Sequence, residues 1–109
     1  MSLDVQALVK AMVQAASKPL AGYGKQACAF AANEFSAIAQ LIAEIGVARE
    51  NETITPADAA DMLEQAKLAT KDAMDTQAGI ASIAAEAAIN AALGAVSSIV
   101  NGYLGFALI

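Results

Sequence analysis

Few residues in this 109-residue chain are of types that do chemistry, and their spacing narrows the field further. Histidine is absent and Cys28 is the single cysteine, so the usual nucleophile–base pairs, imidazole metal sites and thiolate clusters are missing. Cys28 has no internal disulfide partner; a buried apolar thiol is expected, with an intermolecular crosslink as the alternative. Asp58/Asp61 and Asp72/Asp75 each sit three apart on one helix face, a spacing that could weakly hold a cation. With Lys67 and Lys71 interspersed, they read instead as a solvated face. No P-loop or dinucleotide fingerprint occurs, and Gly22 and Gly24 follow no strand.

Glu86 stands alone among Ala84, Ala85, Ala87, Ala88 and Ile89. A carboxylate buried there must be paired, protonated or hydrogen-bonded, with Lys10, Lys18 and Lys25 as candidate partners. It would then serve as a protonation switch in an interface or as an ion-carrying group in a membrane ring. At the edge of a bundle it would simply meet solvent. These residues imply no catalytic site, no cofactor and no metal, and the chain is not expected to be an enzyme.

The elements that position these side chains are helices. More than a quarter of the chain is alanine, the strongest helix former, and only Pro19 and Pro56 interrupt it. Strand-like alternation of β-branched residues is missing, so the fold is expected to be all-α, in a single domain over residues 1–109. A net charge of −5 argues against nucleic acid, which needs a basic stripe, and against a helix held on anionic lipid by Lys and Arg. The start, MSLDVQALVK, lacks the basic and then apolar pattern of a secretory signal. A cytoplasmic protein is expected, with leaderless export or membrane insertion left open.

Ser2 is a candidate N-cap, and Val5, Leu8, Val9, Met12, Val13 and Ala16 recur at helical spacing, giving a helix over about 3–17. Pro19 and two glycines then make a kink or a full turn. A second helix over about 25–48 carries Cys28, Ala31, Phe35, Ile38, Ile42 and Ile45 at alternating steps of three and four. That is a heptad-like seam for helices packed side by side. Phe30 and Leu41 lie off it and suggest a second contact surface. Thr55-Pro56-Ala57-Asp58 restarts a helix over 56–78, with Thr as N-cap and Pro at the first helical position. Residues 80–107 follow, either continuous with it or separated by a bend at Gly79; Gly94 is another candidate bend.

Two architectures fit. One is an antiparallel hairpin turning near Asn51, with arms of roughly 70–80 Å if each helix is unbroken. The other is a four-helix bundle folded at Pro19 and Gly79. Both pair the second helix with 56–78 and the first with the apolar end, and both are expected to be completed by oligomerisation.

The segment Asn90–Ile109 has no charged side chain. As a helix it carries a bulky stripe (Ile89, Leu93, Val96, Val100, Tyr103, Ala107) and a small one (Ala88, Ala91, Ala95, Ser98, Gly102, Gly105). Small stripes let helix backbones approach closely. A membrane span is favoured by length, and its nine strongly apolar residues contribute roughly 4 kcal/mol towards insertion. Asn90, Ser97, Ser98, Asn101 and three glycines offset much of that, and no Lys or Arg follows Lys71 as an anchor. A helix apolar on all sides needs covering on all sides, and the short first helix covers only one. Other copies of the chain are the simplest cover. The expected interface comprises Ala88, Ala91, Leu93, Ala95, Val96, Ser98, Val100, Gly102, Tyr103, Gly105 and Phe106.

The seam, the small stripe, the alanine excess and the uncovered apolar end together suggest a self-assembling, homo-oligomeric structural subunit of a ring, ribbon or filament. In size and composition the chain is similar to subunits of helical bacterial or phage assemblies such as coiled-ribbon (R-body-type) proteins, a likeness carried by no motif. A small pore-forming or holin-like membrane factor inserting residues 80–109 is the alternative. A helical adaptor docking into one partner is the second. No small-molecule substrate is evident.

Overall fold

Thr55 starts a helix in the way its neighbours dictate. In the computed structural model, which describes residues 3–109, Thr55 Oγ1 accepts from the Asp58 N–H at 3.1 Å. Asp58 Oδ2 accepts in return from the Thr55 N–H at 3.3 Å. This capping box, with Pro56 at the first helical position, opens α3, Pro56–Ala78. The helix stops at Gly79, whose φ of +69° suits a residue without Cβ. The Ile80 N–H then bonds back to the Met74 carbonyl at 3.0 Å, and Ile80 is fully buried. The corner therefore forms at Gly79, and the last two helices are separate rather than continuous.

Three further helices complete the chain: α1, Val5–Ala16; α2, Gly24–Glu50; and α4, Ser82–Leu104. Asp4 caps α1, its Oδ1 accepting from the Ala7 N–H at 3.1 Å, while Ser2, the candidate cap, lies outside the described residues. Residues 17–23 make a full turn at Pro19. The α4 helix ends earlier than position 107, because Gly105 takes φ +79° and turns the chain away.

The four helices pack as a bundle measuring 42 × 23 × 17 Å, the folded-back architecture rather than the extended hairpin. Helix α1 lies chiefly against α4 and also against α2; α2 packs on α3 and α3 on α4. Phe35, Met12, Ile38, Ile42, Ile45, Met74, Ile80, Val96 and Val100 are the large side chains sealed in its core. Fully burying one such side chain stabilises by roughly 1.5–3 kcal/mol, and the core is one contiguous cluster drawn from all four helices.

Candidate assembly surface

The α2 seam is an internal device. Ala31, Phe35, Ile38, Ile42 and Ile45 are buried, and the off-seam Phe30 and Leu41 are half-buried against the same core. Cys28 departs from expectation: it sits at the first turns of α2, near an end of the bundle, and is only half-buried. Near the other end, Gly46 is buried beneath Tyr103, where a Cβ would run into the ring and its hydroxyl oxygen. Small at 46 and large at 103 is how α2 and α4 come together there.

Glu86 is not buried. Its side chain is 61% exposed and meets Lys71 Nζ of α3 at 3.4 Å, not a lysine of α1 or of the turn after it. Solvent supplies its solvation, so an ion pair this open contributes at most about 1 kcal/mol. The aspartate pairs lie on exposed surface as well. Asp58 is spent on the capping box, and Asp75 accepts from Ser82 Oγ at 3.1 Å across the α3–α4 corner. Among the described residues, no three potential metal-ligating side chains converge.

The expected α4 interface divides in two. Ala88, Leu93, Val96 and Val100 are buried in the chain's own core and are withdrawn from any surface. The bulky stripe faces α1 and its neighbours, because burying large side chains gains more than burying small ones. Ala91, Tyr103 and Phe106 are half-buried, while Ala95, Ser98, Gly102 and Gly105 are exposed. Ala88 falls inside because a stripe of alternating threes and fours drifts by ~20° per heptad on a straight helix. The stripe that faces out at Gly102 has therefore rotated into the core two heptads earlier.

The face that α4 presents outward runs through Ile83, Ala87, Asn90, Gly94, Ala95, Ser98, Ile99 and Gly102. Ile83 is 85% exposed at one end and Ile99 60% at the other, with only small or amide side chains between. Beyond Glu86 it bears no charge. A Cβ added at Gly94 or Gly102 would meet nothing within 4 Å, so neither glycine is required by packing within this chain. Gly94 is no bend; α4 runs through it unbroken. Ile83, Ala87, Asn90 and Gly94 were not placed in the interface from the sequence. Ala87 and Gly94 were legible on the helical wheel as lying on the far side from Ile89, Leu93, Val96 and Val100. Beside the C-terminal half of this face, Ser98, Ile99, Gly102 and Tyr103 border an open groove of about 550 Å³ with Leu3, Asp4 and Glu50.

Past Gly105 the chain folds back on α4. Asn101 Oδ1 accepts from the N–H groups of Leu108 at 2.9 Å and Ile109 at 3.1 Å, and its Nδ2 donates to the Ile109 carbonyl at 2.9 Å. The Phe106 ring lies 5.5 Å from the Arg49 guanidinium, and Phe106, Leu108 and Ile109 rest half-buried on the core. Arg49 Nε is buried without a hydrogen-bond partner.

By length and composition α4 is also the one described helix able to cross a membrane, with a mean hydropathy of 1.6 over its most apolar window. The class that fold and surface define is a small all-α bundle with one uncharged outer face. No family model, curated protein or solved structure matches the chain.

Proposed function

We propose that this protein is a non-catalytic structural subunit that assembles with copies of itself through the outward face of α4. The observation that carries this reading is the pair of α4 glycines, Gly94 in mid-helix and Gly102 in the last turn, open on an uncharged face where nothing in the chain uses their small size. In the helix interior Gly94 costs roughly 1 kcal/mol of stability relative to alanine. A second helix backbone lying close against Gly94, Ser98 and Gly102 gives that cost a purpose. Electrostatics favours the N-terminal half of the same face: copies that each carry −5 repel, and α4 beyond Glu86 has no charged side chain of its own, with Asp4 and Glu50 bordering only its C-terminal half. Ring, ribbon and filament are all open to such a subunit.

Sedimentation velocity and negative-stain microscopy of the purified chain test the proposal. Species larger than one chain, growing with concentration, are expected; a monomer throughout the micromolar range removes it. Substituting Gly94 by Leu should return the protein to monomers without lowering its melting temperature.

A membrane-active role is the second reading, favoured by the length and hydropathy of α4. Insertion would need Ile89, Leu93, Val96 and Val100 to leave the core for lipid, at the cost of the α1–α4 packing. Flotation with liposomes separates the two, since the assembling subunit stays at the bottom of the gradient.

A further inference from the structure

An α4 face laid against an α4 face is the same patch on both copies, and such a contact closes at two. Growth into a ring, ribbon or filament needs a second pair of surfaces, and the bundle carries one on opposite corners. Among the described residues, α1 and α3 each touch α2 and α4 but not one another, so their outer sides point in opposite directions. Both run away from the same end of the molecule. Asp4, Glu50 and the last turns of α4 border one groove there, and α3 begins shortly after Glu50.

The two corners are opposite in charge. Residues 5–33 contain Lys10, Lys18 and Lys25 and no acid. All three lysines are exposed, and among the described residues none has a carboxylate partner. Asp4, the one acid beside them, lies toward α4. On α3, Asp61, Gln65, Leu68, Asp72 and Asp75 recur at steps of four and three and share the outer face. Lys67 and Lys71 lie on the α4 side of that helix, so Asp61 and Asp72 are left without a cation. Amid these acids Leu68 is 58% exposed, a bulky apolar knob. The other corner has a hole: a groove of about 650 Å³ between α1 and α2, lined by Val5, Gln6, Val9, Lys10, Ser36 and Gln40.

We infer that this groove receives Leu68 of a neighbouring copy, with Asp72, one turn beyond Leu68, set against Lys10. The inference rests on the α4 pairing and deepens it by naming the contact that carries growth past two copies. A neighbour displaced sideways without rotation brings its α3 parallel to α1. Leu68 lies on the fourth turn of α3 and the groove on the first two turns of α1, so neighbours are staggered by about two turns, ~11 Å. That stagger also brings Asp75 towards Lys18. Because knob and groove are different patches, every added copy offers a fresh one, and the contact repeats. Exposed ion pairs are individually weak and screened by salt. The contact therefore joins chains already paired through α4, where each step makes it twice, and does not hold single chains together.

Sedimentation velocity of the full chain at low salt and at about 1 M NaCl, where the screening length is ~3 Å, separates the two contacts. Species larger than two chains are expected at low salt and pairs at high salt, because the α4 contact rests on close backbone packing. Lys10→Glu and Asp72→Lys each set like charges together, and Leu68→Ser removes the knob. Each should weaken growth past pairs roughly tenfold. All three side chains are exposed, so the fold stands without them. Mixed in equal amounts, Lys10→Glu and Asp72→Lys should grow again, since each groove then meets a complementary ridge. The chain carrying both substitutions should grow alone. Growth that ignores salt and all three substitutions overturns the edge contact and leaves the α4 pairing standing. So do single variants that stop at pairs and fail to grow when mixed, and a parent chain that stops at pairs in low salt. A parent chain that stays monomeric at both salts overturns the pairing and the edge contact together.

Discussion

Helices α3 and α4 have the same length, 23 residues, meet at a three-residue corner, and are opposite in character. Helix α3 is capped by its own sequence at both ends, carries Asp, Glu and Lys over its surface, and adds a Lys67–Glu64 ion pair at 3.7 Å. Helix α4 has no side-chain N-cap and, beyond Glu86, no charged side chain. One helix is specified by local signals and faces water. The other is specified by what packs against it, and its outward side is uncharged beyond Glu86. A helix can thus owe its existence either to its own ends or to its contacts, and mutation distinguishes the two.

The largest effect should fall where the two helices join. Ile80→Ala empties the sealed site at the corner and should cost about 2–5 kcal/mol in urea unfolding. Gly46→Ala acts on α4 through its contact, forcing the Tyr103 ring off α2, and should cost about 1–3 kcal/mol. Thr55→Ala removes the cap that defines α3 and should cost ~1 kcal/mol, with no change in oligomer size. Gly94→Ala should reverse the sign. With nothing within 4 Å to collide with, the monomer should gain up to ~1 kcal/mol in thermal unfolding while assembly weakens. Glu86→Gln, smallest of all, should shift stability by less than ~0.5 kcal/mol; a loss of several would mean the pair with Lys71 is far less solvated than its exposure implies.

The same contrast explains what the sequence made legible. Thr55-Pro56-Ala57-Asp58 and Gly79 are local signals, and the structure uses both as written. The α2 seam was readable because five of its six positions serve one continuous core; at the sixth, Cys28 is half-buried while the adjacent Ala27 is buried in its place. Glu86 meets solvent at the bundle edge, one of the two readings its sequence allowed; its partner was not legible, because Lys71 lies fifteen residues away on α3. Ala88, Leu93, Val96 and Val100 fell within the expected interface because the apolar character of α4 runs all round it. Which side turns inward is fixed chiefly by α1 and α3, and composition holds no record of that choice. The fold-back onto Asn101 was invisible for the same reason: a lone asparagine in an apolar run gives no sign that a folded-back main chain will satisfy it.

The pairing of α1 with α4 also bears on how the protein is made. Synthesis runs from the N-terminus at ~5–20 residues per second, so α1 emerges several seconds before the helix it packs against most. During that interval α2 can shield only part of the apolar side formed by Leu8, Met12 and Ala16. Nascent chains on neighbouring ribosomes would find one another most readily in this window, and a tightly spaced polysome would be the place where premature association begins.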